Sequence, residues 1–348
     1  MAASGGAPWH RHKLDKTLGD VPITFYDLAY DMDTCCNSKG QRKIQEVFSR
    51  ALHAKSFCQA MEDAKSPQEK ARLLSQAQTG ASDFLKAVPF QHKLMIPDAA
   101  FSWNVARYLG SEVAQEADAR AAEKCSMARG GASPPSRGQE ADVVKSQHAY
   151  NCKKGGGLIH RHDGIVDTLA AMCVDAGFRI QKEPRGQLEG AGQGGPDILV
   201  FGLVPPAGNA SLEVGLVNPM ASSYVKAASS LPLSAARTRA LAKSAEYAKA
   251  TAAHHLLNHT AVLEVTGALH HSTTSLIKRC GEAAAENPTS CFHAVSQYWS
   301  TSTHSQYWRQ RLGVSLCNSK FTMNTITHSM GWHKHQHSRG QARVRVQG

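Results

Sequence analysis

The spacing of hydrophobic positions changes several times along the chain, and each change predicts an element. Between Gln41 and Ala64, the residues Ile44, Val47, Phe48, Ala51 and Leu52 recur at helical spacing. Ser66-Pro67-Gln68-Glu69 has the form of a capping box with proline at the first helical position, and opens a helix that ends near Gly80. A third helix is expected over Pro97 to Leu109 with Gly110 as its stop, and an Ala/Glu-rich one over Ser111 to Met127. Ile165, Val166, Leu169 and Met172 line one face of a helix from Asp163 to Ala176. The period then shortens to two in Phe178-Arg179-Ile180-Gln181-Lys182, which predicts a strand. Two runs rich in Val, Ile and Leu follow, Gly195 to Phe201 and Ser211 to Val217. Pro205-Pro206-Ala207-Gly208-Asn209 between them predicts a hairpin. A long Ala/Arg/Lys helix over Leu233 to Leu257, a strand over Thr260 to Thr266, and helices over Thr274 to Glu286 and Ala294 to Cys317 complete the pattern.

The order helix, three strands, helix, strand describes an α/β or α+β fold built on one shared sheet. Composition divides the chain into a flexible tail (1–40), a helical linker module (41–128), a Gly/Pro linker (129–162), a mixed core (163–290), C-terminal helices (291–330) and a basic disordered tail (331–348). No run approaches the ~18 consecutive apolar residues of a membrane span, and the N-terminus lacks the apolar stretch of a secretory signal. The nine cysteines are scattered without framework spacing, which suits free thiols in the nucleus or cytoplasm. The net charge of +11 favours a polyanionic partner, nucleic acid first among them.

Chemistry concentrates in the two central strands, because each carries one carboxylate among aliphatic residues: Asp197 and Glu213. On neighbouring antiparallel strands the two can stand side by side on one face. A carboxylate facing an apolar core is costly unless paired or bound to a cation, and two of them make an oxygen-rich site that Mg²⁺ accepts. The plain alternative is a surface hairpin with both carboxylates solvated. Glu264, in the fourth strand, is either a third acid near the pair or another solvated strand carboxylate. Upstream, Lys153-Lys154, three glycines and His160-Arg161-His162 read as a basic, flexible stretch before a helix N-terminus, with donors suited to phosphate oxygens. His148 and Cys152 stand at H-x3-C spacing with only Cys125 upstream, one ligand short of the four that structural zinc requires. Trp299, Tyr307 and Trp308 fit a helix core better than a base-stacking surface.

Gly195-Pro196-Asp197 followed by Glu213-Val214, in that order of elements, resembles the PD-(D/E)xK restriction-endonuclease-like fold. More narrowly, the chain is similar to the endonuclease segment at the C-terminal end of non-LTR retrotransposon polyproteins, here detached from its reverse transcriptase. Leu94 to Phe101 resembles the segment between polymerase and endonuclease, His148 to Gly156 with Arg161-His162-Asp163 the end of a zinc-knuckle-like element, and Tyr307 to Leu312 the family's tail. The likeness spans roughly residues 70–325.

That resemblance implies an αβββαβ core followed by C-terminal helices, and an enzyme that nicks DNA at a target site by phosphodiester hydrolysis. It implies Mg²⁺ (or Mn²⁺) held by Asp197 and Glu213 and a catalytic lysine. It also implies a degenerate zinc site of Cys125, His148 and Cys152, and DNA or the parent element's RNA as partner. The family's short motif puts the lysine two residues after the second acid, where this chain has Gly215. The helix that follows the third strand supplies Lys243 instead, with Lys226 and Lys249 as alternatives. Lys153, Lys154, Arg161, His162 and Lys226 are the expected nucleic-acid contacts. Two rivals stand beside the nuclease: a decayed fragment that binds nucleic acid without cutting, and an unrelated helical interaction protein.

Overall fold

β-Branched and aliphatic residues concentrate between positions 179 and 264, and there the chain builds a four-stranded sheet. The computed structural model describes residues 40–89, 91, 94–111, 148–151, 157–184, 195–204, 208–295, 299 and 301–322. The strands are β1 (Arg179–Lys182), β2 (Ile198–Val204), β3 (Gly208–Val217) and β4 (Leu257–Glu264), side by side in that order. β1 with β2 and β2 with β3 pair antiparallel, whereas β3 and β4 pair parallel. A parallel neighbour needs a crossover, and α8 (Ser234–Ala253) supplies it.

β3 is buried at every position from Ala210 to Gly215, because both faces of the sheet are covered. One face packs on α6 (Gly157–Asp175) and α9 (His271–Ala285), where Ile165, Leu169 and Met172 join Ile198, Val200, Leu212, Val214, Leu276 and Ile277. The opposite face belongs to α8, whose Ala235, Ala236 and Ala240 pack on Val217 and Val262. Small residues let that helix lie close to the sheet. Side chains alternate along a strand, so Leu212 and Val214 point at α6 while Glu213 between them points at α8.

The chain divides into two compact units, Met1–Lys65 and Ser66–Gly348. The first contains α1 (Gly40–Asp63). The expected helical module of 41–128 is therefore not one body, since α2 (Pro67–Gln76), α3 (Asp83–Lys86) and α4 (Asp98–Leu109) fold with the sheet. The Ser66 N-cap forms as expected: Ser66 Oγ accepts the Glu69 N–H at 3.2 Å, a bond worth about 1 kcal/mol to the helix. Gly110 ends α4 with φ 72°, the left-handed conformation that favours glycine. A C-terminal helix over 304–322, here α11, approaches α3 closely enough that a Cβ on Gly313 would stand 2.9 Å from the Phe84 nitrogen.

Three expectations need correction. α6 begins at Gly157, not Asp163, so His160, Arg161 and His162 lie on the helix and not in a flexible loop before it. β3 begins at Gly208, so the end of the expected hairpin loop is already strand. The helix expected from Ala294 to Cys317 is interrupted: α10 (Cys291–Val295) and α11 are separate, with Trp299 buried between them. Asp175, at the end of α6, organises that corner. Its Oδ2 accepts Trp308 Nε1 at 3.0 Å and Ser290 Oγ at 3.0 Å and lies 3.1 Å from His304 Nε2, while Oδ1 accepts the Cys291 N–H at 2.6 Å.

The two short helices α5 (His148–Asn151) and α7 (Val225–Ala228) complete the order of elements. Trp299, Tyr307 and Trp308 belong to the core, as their spacing suggests. The described cysteines, Cys58, Cys173, Cys280, Cys291 and Cys317, are free thiols. No described helix is long and apolar enough to cross a membrane. The helix expected over 111–127 and both expected tails, apart from residues 40 and 111, fall outside the described residues.

Candidate active site

Asp197 precedes β2 by one residue, yet its backbone is already held in the sheet. The Glu183 N–H donates to its carbonyl at 2.9 Å, which extends the β1–β2 ladder by one step. Ile198 pairs with Leu212 across the antiparallel ladder. One further step sets Asp197 opposite Glu213, on the face that looks at α8. The Asp197 carboxylate is then fixed by the neighbouring strand, for Oδ2 accepts the Val214 N–H at 2.7 Å.

α8 brings the cation. Lys243 Nζ lies 3.2 Å from Glu213 Oε2 and 3.8 Å from Asp197 Oδ2, so one ammonium serves both carboxylates. One turn later, Tyr247 passes its ring 5.5 Å from that ammonium and donates its hydroxyl to the Gly195 carbonyl at 3.2 Å. α6 closes the other side: His162 Nε2 lies 3.5 Å from Asp197 Oδ1. The Glu213 side chain is wholly buried, while Asp197 and Lys243 keep 18% and 12% exposure, so solvent reaches the site from the Asp197 side.

Burial pushes the Glu213 carboxyl up, the nearby Lys243 charge partly offsets this, and the Asp197 charge adds to it, giving a value of about 8. Burial would also raise Asp197, but the bond and charge of His162, then Lys243 and the Val214 N–H, outweigh it and hold the carboxyl low. The bond to Asp197 raises the His162 imidazole in turn, more than burial lowers it. The two adjacent carboxyls are thus driven apart by environment, Asp197 held low and Glu213 raised.

Of the lysines expected, Lys243 alone meets the pair; Lys226 on α7 and Lys249 on α8 are exposed and touch neither carboxylate. At Gly215, two residues after Glu213, a Cβ would stand 3.2 Å from Val262 Cγ2 and 3.4 Å from Arg239 Cγ, a tight fit in which those side chains would have to give way.

Arg161 is not available to a phosphate. It is buried, and its Nη1 donates to the Tyr150 carbonyl at 3.2 Å. Burial lowers its guanidinium to about 10. His162 was expected on nucleic acid and instead stands on Asp197. Carrying the helical spacing of Ile165, Val166 and Leu169 back by one turn puts His162 on the sheet face, which is the signal that would have found it.

Glu264 is neither solvated nor part of the pair. It is buried, hydrogen-bonded by Ser75 Oγ, and its Oε1 lies 3.4 Å from the Ala236 nitrogen at the start of α8. It pairs in register with Val217, four residues along β3 from Glu213. Burial raises its carboxyl, offset in part by Ser75 and Ala236. Cys125, Cys152, Lys153, Lys154 and the side chain of His148 lie outside the described residues.

Hard oxygen donors on adjacent strands suit a hard divalent cation. Among the described residues no group of three or more His, Cys, Asp and Glu side chains converges on a metal position. No protein-family model matches the chain, and no curated protein matches it.

Proposed function

We propose that the protein is a Mg²⁺-dependent DNA endonuclease of non-LTR retrotransposon origin, with a restriction-endonuclease-like core, which nicks DNA by phosphodiester hydrolysis. The observation that carries this reading is the meeting of Lys243 with both Asp197 and Glu213. Side chains from just before β2, the middle of β3 and α8 meet there, which supports the reading drawn from the resemblance.

Asp197 and Glu213 would hold the cation, which would supply polarisation of the scissile phosphate and a lowered pKa for the attacking water. The Val214 N–H and His162 keep the Asp197 carboxylate in one orientation. Lys243 has three rotatable donors on a flexible stem, and offsets negative charge that grows on the phosphoryl oxygens in the transition state. Water oxygen bonds to phosphorus, the bond from phosphorus to the O3′ side breaks, and the departing oxygen takes a proton to leave a 3′-hydroxyl. Such an end would serve as primer for reverse transcription. The surplus of basic residues, 39 against 28 acidic, draws the polyanion to the surface.

The decayed-fragment reading has one observation in its favour. Glu213 is wholly buried and already paired, as in a structural ion pair. Nicking of supercoiled plasmid separates the two. The nuclease reading requires Mg²⁺- or Mn²⁺-dependent nicking that is lost in Asp197→Ala. Folded wild-type protein that binds DNA and never nicks it leaves the binding module.

A further inference from the structure

The gap between Asp197 and Glu213 already holds a positive charge. Lys243 Nζ is within 3.8 Å of one carboxylate and 3.2 Å of the other, and His162 Nε2 takes the remaining Asp197 oxygen at 3.5 Å. Glu213 Oε1 is turned inward, 3.5 Å from the buried Ser211 hydroxyl. The outward-facing oxygens of the pair are therefore covered by the Lys243 ammonium and the His162 ring. A +1 ammonium and a +2 ion in this gap compete for the same carboxylate oxygens, and their mutual repulsion weakens the hold on each.

We infer that Lys243 is the resident cation of this site in the free protein, occupying the position a divalent ion takes, so that the ion binds tightly only once a DNA phosphate has drawn the ammonium away. The inference rests on the cation-site reading above and adds an order of events to it. The lysine stem permits the exchange: it is unbranched, lies along the Tyr247 ring, and carries a point charge that can turn from carboxylate to phosphate. Divalent ion and DNA then bind with positive coupling, and by linkage each strengthens the other equally. A lysine that stays on the carboxylates when DNA binds produces no such coupling.

The test is Mn²⁺ binding by the full chain without DNA, read from the loss of the free-ion electron paramagnetic resonance signal, with circular dichroism confirming the fold of each variant. Wild type is compared with Lys243→Met, which keeps the stem and removes the charge, and with Lys243→Arg, which keeps the charge. Lys243→Met is expected to bind Mn²⁺ at least about tenfold more tightly than wild type, and Lys243→Arg to stay within about threefold of it. A nuclease-resistant phosphorothioate duplex is expected to tighten Mn²⁺ binding in wild type by more than in Lys243→Met. Equal or weaker binding by folded Lys243→Met overturns the inference while leaving the cation site standing. Absence of Mn²⁺ binding in both wild type and Lys243→Met removes the cation site itself, and the inference with it.

Discussion

The Tyr247 hydroxyl donates to the Gly195 carbonyl at 3.2 Å, and this bond ties α8 to the turn that presents Asp197. Lys243 sits one turn before Tyr247 on the same helix, so the bond sets the distance between the cation and the carboxylate pair. Tyr247→Phe removes only the hydroxyl. It is expected to cost about 1 kcal/mol of stability, read as a thermal-melt shift. It should also slow nicking by more than that loss of folded protein explains, since the two strands' carboxylates would no longer be registered against Lys243.

The raised Glu213 carboxyl makes both stability and cation binding depend on pH. Its folded value of about 8 exceeds its ordinary value of 4.5, so the folded state holds the proton more tightly than the unfolded chain does. This contribution to stability is fully present below pH 4.5 and is lost as pH rises through about 8. Glu213→Gln carries no such titration. Relative to wild type it is expected to gain several degrees of melting temperature at about pH 9, and little or nothing near pH 5. A divalent ion must displace the same proton, so wild-type Mg²⁺ affinity should climb with pH and level off above about 8. Calorimetry in buffers of different ionisation enthalpy would count the proton released.

Asp175 has the opposite sign. Burial would raise its carboxyl, but His304, the Cys291 N–H and Trp308 outweigh that and hold it well below the usual 3.8. Its contribution is present above the unfolded value of 3.8 and fades as pH falls below it. Asp175→Asn loses charge-assisted bonds that dock α10 and α11, and is expected to destabilise by about 2–4 kcal/mol at neutral pH. Denaturant titrations should show that penalty shrinking in acid. Because Asp175 lies in the corner with α10 and α11 and touches neither Asp197 nor Glu213, folded Asp175→Asn protein is expected to keep its nicking rate per folded molecule.

Much of this arrangement is written locally. The Ser66 cap, the stop at Gly110, the two central strands and the α8 crossover all depend on residues within a turn or two of one another, so pattern alone finds them. Lys243 is legible because helical spacing from Tyr247 and the family resemblance point to the same residue. Other features depend on what a distant segment places opposite. Arg161 and His162 look like a solvated basic run because Gly155-Gly156-Gly157 reads as a loop, whereas α6 reaches back to Gly157, buries Arg161 and sets His162 against Asp197. Glu264 carries no sign in sequence that Ser75, far away along the chain, will bury and bond it. The break before α11 follows from Asp175 drawing in both the Cys291 N–H and Trp308, a long-range demand that helical period cannot report.

The most direct measurement is the chemistry of the cut end. Supercoiled plasmid is incubated with wild type, Asp197→Asn, Glu213→Gln and Lys243→Met in Mg²⁺, and the nicked circles are offered to a DNA polymerase without prior phosphatase treatment. The account predicts Mg²⁺-dependent nicks that the polymerase extends at once from a 3′-hydroxyl, with rates falling at least about a hundredfold in all three variants. Nicking that persists in folded Asp197→Asn or Glu213→Gln, or folded wild-type protein that leaves every circle closed, would contradict it.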